Sequence, residues 1–167
     1  MGTDQTVARM ADVIEQSVAT PIVRQAATYL VGNLRPSDFL GQIYAIREWC
    51  AQHIVFLRDP SGKELLHTPE WMLNRIDQDG AAHVDCDDAA ILAGALCGSV
   101  GLRVALVTVA FLDKSQPMSH IWASATGPVQ MLDSDKRQIW IELDVTRPMQ
   151  SMPADAISRC KVYPVLV

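Results

Sequence analysis

The sequence predicts one compact domain in which helices come first and strands follow. Three observations predict it. Apolar residues recur at helical spacing through the first half, a fully apolar helix opens at Cys86, and Val- and Leu-rich alternating segments fill the C-terminal half. With 167 residues and 49% hydrophobic content, the chain can build one good core and is short for two domains.

Between Thr3 and Val31 the apolar positions Val7, Met10 and Ile14, then Ile22, Ala26 and Leu30, give two helices, with Pro21 starting the second. Ser37 is suited to cap a helix from Asp38 to about His53, its core stripe formed by Phe39, Ile43, Ile46, Trp49 and Cys50. Ile54 to Leu57 is a brief extended piece, stopped by the turn residues Arg58 to Gly62. Thr68 and Pro69 set the cap and first position of a short helix over Trp71 to about Ile76, which Asp79 and Gly80 end.

From Cys86 to Ser99 nearly every face is apolar after the first turn, as expected of a helix buried all round. Gly101 suits a left-handed turn. Strands are expected at Leu102 to Leu112, His120 to Thr126, Gln138 to Val145 and Lys161 to Val165.

Composition narrows the function classes. The net charge of −5 comes from scattered acids with no basic block, which disfavours nucleic-acid binding. No apolar run approaches a membrane span, and no basic-then-apolar leader opens the chain, so neither membrane insertion nor Sec export is expected. Four cysteines without a CxxC pair argue against a zinc knuckle or redox dithiol and fit reduced thiols in a cytoplasmic protein.

Chemistry concentrates in three segments. Cys86 at a helix entrance would have its thiolate favoured by the helix dipole, and the same unpaired N–H groups could hold an oxyanion. In SHIWASA, His120, Trp122 and Ser124 share one strand face. In IWIELDVT, Trp140, Glu142 and Asp144 lie opposite the apolar face of Ile139, Ile141 and Leu143, so Asp144 could orient His120 if the strands are antiparallel neighbours.

Taken in order, HVDCDDAAILAGALCGSVGLRVALV, SHIWASA and WIELDVT resemble the signature of the transglutaminase-like, papain-type cysteine peptidase superfamily, in the DCDD form of small bacterial and phage proteins. The resemblance covers roughly Gln42 to Thr146. It implies an α+β fold of papain-like or transglutaminase-core type, its central Cys helix packed on an antiparallel sheet that supplies His and Asp. It implies a catalytic triad of Cys86, His120 and Asp144, no metal, no organic cofactor, and a protein or peptide substrate. Where that family reads Gly-Ile-Pro-Ala-Arg this chain has Gly101 to Ala105 as GLRVA, and the first 30 or so residues have no counterpart. Residues 1–34 are accordingly an N-terminal helical extension and 35–167 the transglutaminase-like domain, together one compact unit.

The expected function is acyl transfer on amide bonds through a thioester, as peptidase, amidase or transamidase. The rival is a non-enzymatic assembly component, for example of a phage particle and so a virion component, docking a protein partner through the apolar N-terminal helices. Several residues receive plainer readings. Cys50, Cys97 and Cys160 are inert core cysteines, and His53, His67 and His83 are surface or packing residues. Asp85 and Asp88 form a capping-box-like pair, and Trp122 and Trp140 are core aromatics before they are cleft walls. A metal site of His83, Asp85, Cys86 and Asp87 is disfavoured, since residues so close at a helix start cannot easily surround one ion.

Overall fold

The computed structural model describes residues 3–60, 65–111, 120–146 and 157–167. Helices α1 (Thr3–Ser17) and α2 (Pro21–Val31) form where periodicity places them. Val7, Met10 and Ile14 of α1 and Val23 and Ala27 of α2 are buried, each set on one helical stripe. α3 (Phe39–His53) is capped by Asp38, not Ser37. The helix begins one residue later than the Ser37 reading requires, and the Asp38 carboxylate reaches the Gly41 N–H at 2.9 Å.

β1 (Ile54–Phe56) pairs in parallel with β2 (Ala82–Val84), a strand that the sequence did not announce. Between them α4 (Pro69–Asp79) is longer than expected, starting at Pro69 with Thr68 accepting from the Trp71 N–H at 3.3 Å. Gly80 ends it with φ 81°, a left-handed turn that glycine adopts without a Cβ clash.

α5 (Cys86–Ser99) is the central element, with an unbroken buried run from Asp88 to Cys97. Its small residues permit close approach. A Cβ on Gly94 would lie 3.0 Å from Ile14 Cδ1 and 3.3 Å from Val104 Cγ1, so α1 and the sheet both seat against that glycine. On one side lies the antiparallel sheet β5-β4-β3-β6, made of β3 (Arg103–Phe111), β4 (His120–Thr126), β5 (Ile141–Glu142) and β6 (Ile157–Val165). On the other sides pack α1, α2, α3 and α4. One apolar cluster runs from Val7 to Val165 through Ile91, Leu92 and Leu106.

Two expectations shift. β5 is two residues long where a strand over 138–145 was expected, because the chain closes a small turn through the Leu132–Gln138 bridge before it reaches β4. Val7, Met10, Ile14, Val23 and Ala27 of the N-terminal helices are buried in the core, whereas Ile22, Ala26 and Leu30 are partly buried and Tyr29 is exposed. Among the described residues, no helix is long and apolar enough to cross a membrane.

Candidate active site

β2 runs directly into Asp85, the N-cap of α5, whose carboxylate accepts from the Asp87 N–H at 3.0 Å and the Asp88 N–H at 3.3 Å. Cys86 is therefore the first helical residue. Two of the first-turn donors are already taken by the cap, and the Ala89 N–H bonds the Asp85 carbonyl at 3.1 Å.

The half-buried Cys86 sulfur lies between two elements. Its Sγ donates to Asp87 Oδ1 at 3.5 Å, and the backbone of Ile121, the second residue of β4, lies near enough to draw the thiol's pKa down. His120 is the chain neighbour of that residue. Its buried Nε2 meets Asp144 Oδ2 at 2.5 Å. The other Asp144 oxygen accepts from the Thr146 N–H at 3.1 Å and from its hydroxyl at 3.0 Å.

Register explains why Asp144 meets the imidazole and Glu142 does not. β4 and β5 pair Ser124 with Glu142, and the Leu143 N–H still bonds the Ala123 carbonyl at 2.9 Å. Asp144 therefore falls toward Trp122 and is a diagonal neighbour of His120, whereas Glu142 is four residues up the strand. Burial would raise the Asp144 carboxyl, but the hydrogen bond and charge of His120 and the two bonds from Thr146 hold it below its ordinary range. Burial and the neighbouring Asp144 push Glu142 upward.

Burial and two acids oppose the helix dipole at Cys86. Burial first, then the charges of Asp87 and Asp85, push its thiol up to about 12, against the weaker opposing pull of the Ile121 N–H. The sulfur rests as a neutral thiol. Asp85 itself is raised to about 7 by burial and by Asp87.

That shift has a measurable sign. Between the ordinary value of 3.8 and about 7, the folded protein keeps a proton on Asp85 that the unfolded chain releases. Each rise in pH through that window therefore favours unfolding, and buried Asp88 and the more exposed Glu142, also raised, act in the same direction. Urea unfolding should show stability falling from pH 4.5 to pH 7, with a shallower fall in Asp85→Asn, which keeps a capping oxygen. An unchanged slope in the variant would contradict this assignment.

Several plainer readings change. Asp88 does not close a capping box. Fully buried, it accepts from the His67 N–H at 2.7 Å and contacts His67 Nδ1 at 2.6 Å, tying the approach to α4 onto the cysteine helix. His67 in turn stacks on Trp71 with ring centroids 4.1 Å apart. Cys160 is exposed on β6, not core, while Cys50 and Cys97 are buried, with burial pushing both thiols upward. Trp140 is partly exposed beside Arg103, and Trp122 is half-buried with its ring 5.8 Å from that of His120. His53 bonds the Trp49 carbonyl at 2.8 Å, and His83 is exposed.

Sequence reasoning missed Thr146 and the Ile121 N–H. The Asp-x-Thr spacing of 144–146, a turn pattern in which the side chain binds backbone two residues on, was the available signal for Thr146. Nothing in sequence marks a backbone donor.

No family model matches the chain. A search of curated proteins also finds no match. Among solved structures it is similar to one described as a putative cysteine protease from Cytophaga hutchinsonii, with a TM-score of 0.52 and 15% identity over 84% of this chain. The chain spans 45% of the length of that protein. At such identity the likeness concerns the backbone alone, and what it establishes is the fold: a papain-like α+β domain with an antiparallel sheet against its central helix.

Proposed function

We propose that this chain is a cysteine-dependent acyl-transfer domain acting on amide bonds, with Cys86 as nucleophile, His120 as general base and acid, and Asp144 as the group that orients the imidazole. The observation that carries the reading is the buried His120–Asp144 pair, Nε2 to Oδ2 at 2.5 Å, on a strand whose next residue, Ile121, brings its backbone near the Cys86 thiol.

Because Nε2 faces Asp144, Nδ1 is the nitrogen that exchanges protons with the thiol. A neutral thiol attacks the carbonyl carbon as its proton passes to Nδ1. The C–S bond forms, and the carbonyl π electrons move onto oxygen. The Cys86 N–H, first in its helix and not claimed by the Asp85 carboxylate, is the candidate oxyanion donor. When the oxyanion collapses, the C–N bond breaks and the imidazolium gives its proton to the departing amine, leaving a thioester. Water then attacks with His120 again accepting the proton, the C–S bond breaks, and the thiol is restored. An amine in place of water would give transamidation. The assembly reading would draw on the part of α2 that the core leaves accessible, around Tyr29.

Incubation with activated esters and peptide amides, followed by intact-mass and peptide mapping, should show an acyl adduct on Cys86 that is absent in Cys86→Ala. The test is run in Cys160→Ser, since the exposed thiol would acylate adventitiously. Iodoacetamide should also modify Cys86 well ahead of Cys97, at a rate that climbs steadily above neutral pH because the thiol is raised. Adducts confined to other cysteines, or a Cys97 that labels first, would overturn the assignment of the nucleophile.

A further inference from the structure

The short parallel pair β1–β2 carries an exposed apolar edge beside Cys86. Phe56 is 49% and Leu57 58% exposed, and Val55 and Leu65 are exposed with them. Edge strands with several bare apolar residues invite pairing with another chain, and natural proteins usually blunt them with charge, proline or a covering element. The register makes this edge usable. Leu57 directs its N–H to the Val84 carbonyl at 2.8 Å, so alternation turns the N–H and C=O of Phe56 to the outer side. Among the described residues no hydrogen bond occupies them.

Position selects the occupant. Phe56 stands opposite Val84, two residues before Cys86, which places the outer edge within about 10 Å of the nucleophile by strand spacing. A strand added there would lie two strand spacings, roughly 10 Å, from the line of β2, so a few residues would separate its paired portion from a carbonyl at the sulfur. A large apolar side chain on it would meet Phe56 on one face, and an adjacent one would meet Leu57 on the other. Asp59, which follows the strand and accepts from the Leu65 N–H at 2.6 Å, would repel an acidic peptide.

We propose that the outer edge of β1 binds the substrate as an added strand, so the substrate class is an extended, non-acidic peptide segment with a large apolar residue two to four positions from the amide that reacts. This deepens the acyl-transfer reading and rests on Cys86 being its nucleophile. Backbone pairing at Phe56 supplies affinity, and the apolar patch supplies selectivity.

The test measures binding, so it does not depend on turnover. Fluorescein-labelled octapeptides of Gly, Ser and Thr, with a central Leu-Phe or with Ser-Ser in its place, are titrated into the Cys86→Ala protein by polarisation. The Leu-Phe peptide should bind at least about tenfold more tightly. N-methylation of the backbone should weaken it at alternate residues only, as a strand ladder requires. Phe56→Ser with Leu57→Ser, checked for native circular dichroism, should remove the preference. No binding, indifference to the apolar pair or to N-methylation, or a double variant that still discriminates would overturn the proposal. A wild-type dimer in sedimentation that Phe56→Ser dissolves would overturn it too, by assigning the edge to a second copy. Peptide binding that passes these tests while no acyl adduct ever forms on Cys86 would sink the acyl-transfer reading and leave the edge standing as a peptide site.

Discussion

Replacing Asp144 with Asn is expected to lower turnover of an amide substrate by about 10²- to 10⁴-fold, the range seen when the orienting carboxylate of such a triad loses its charge. In the proposed mechanism the carboxylate keeps the proton on Nε2, leaving the Nδ1 lone pair to accept from the thiol. An Asn can offer an N–H to Nε2 instead, which favours the other tautomer and blocks proton transfer from sulfur. The resting thiol makes this loss severe, because with Cys86 raised to about 12 there is little thiolate to react without a base. Glu142→Gln should change turnover by less than about threefold, since its register partner is Ser124. Folding should suffer modestly in Asp144→Asn, as the amide oxygen can still accept from Thr146. Steady-state kinetics on both variants decide the matter. Equal losses would mean that the carboxylate beside His120 is not the one that matters.

Removal of residues 1–31 is expected to abolish cooperative folding. Such a truncation strips Val7, Met10, Ile14, Val23 and Ala27 from the cluster that encloses α5. Each large side chain of this kind is worth about 2–5 kcal/mol when cut back to alanine, against a total stability of about 5–15 kcal/mol for a typical domain. It would also bare the side of Gly94 on which Ile14 rests. The truncated chain should show a broad thermal transition and bind a hydrophobic dye, while Met10→Ala in the full chain stays cooperative with a lower midpoint. A sharp transition in the truncated protein would show instead that residues 1–34 form a separable module. The comparison also bears on any partner assay. Loss of binding on truncation would report a lost docking surface only where the truncated chain still folds.

The elements with strong local signals were legible before any coordinates. α1, α2, α5 and β4 lie where periodicity, proline and the apolar run put them, because those signals act within a few residues along the chain. The ends of α3 and β5 were less so. Asp38 outcompetes Ser37 for a cap one residue away, and a strand pattern over 138–145 pairs with β4 over only two residues. β2 could not have been read alone, since three residues carry too little pattern and its pairing with β1 spans the whole of α4.

By itself the sequence determined the order of elements, the apolar helix opening at Cys86, and the three segments that hold Cys86, His120 and Asp144. These follow from side-chain type and spacing. Only the tertiary structure decided which groups meet: Asp144 with His120 through strand register, Asp88 with His67 across 21 residues, and Ile121 with the cysteine sulfur. It decided, too, how deeply Cys86 is enclosed, which with the neighbouring Asp85 and Asp87 pushes its thiol up, and that Val7, Met10 and Ile14 join the core. The acids beside Cys86 are visible in sequence, but burial depends on parts of the chain far apart in it, where no local pattern records it.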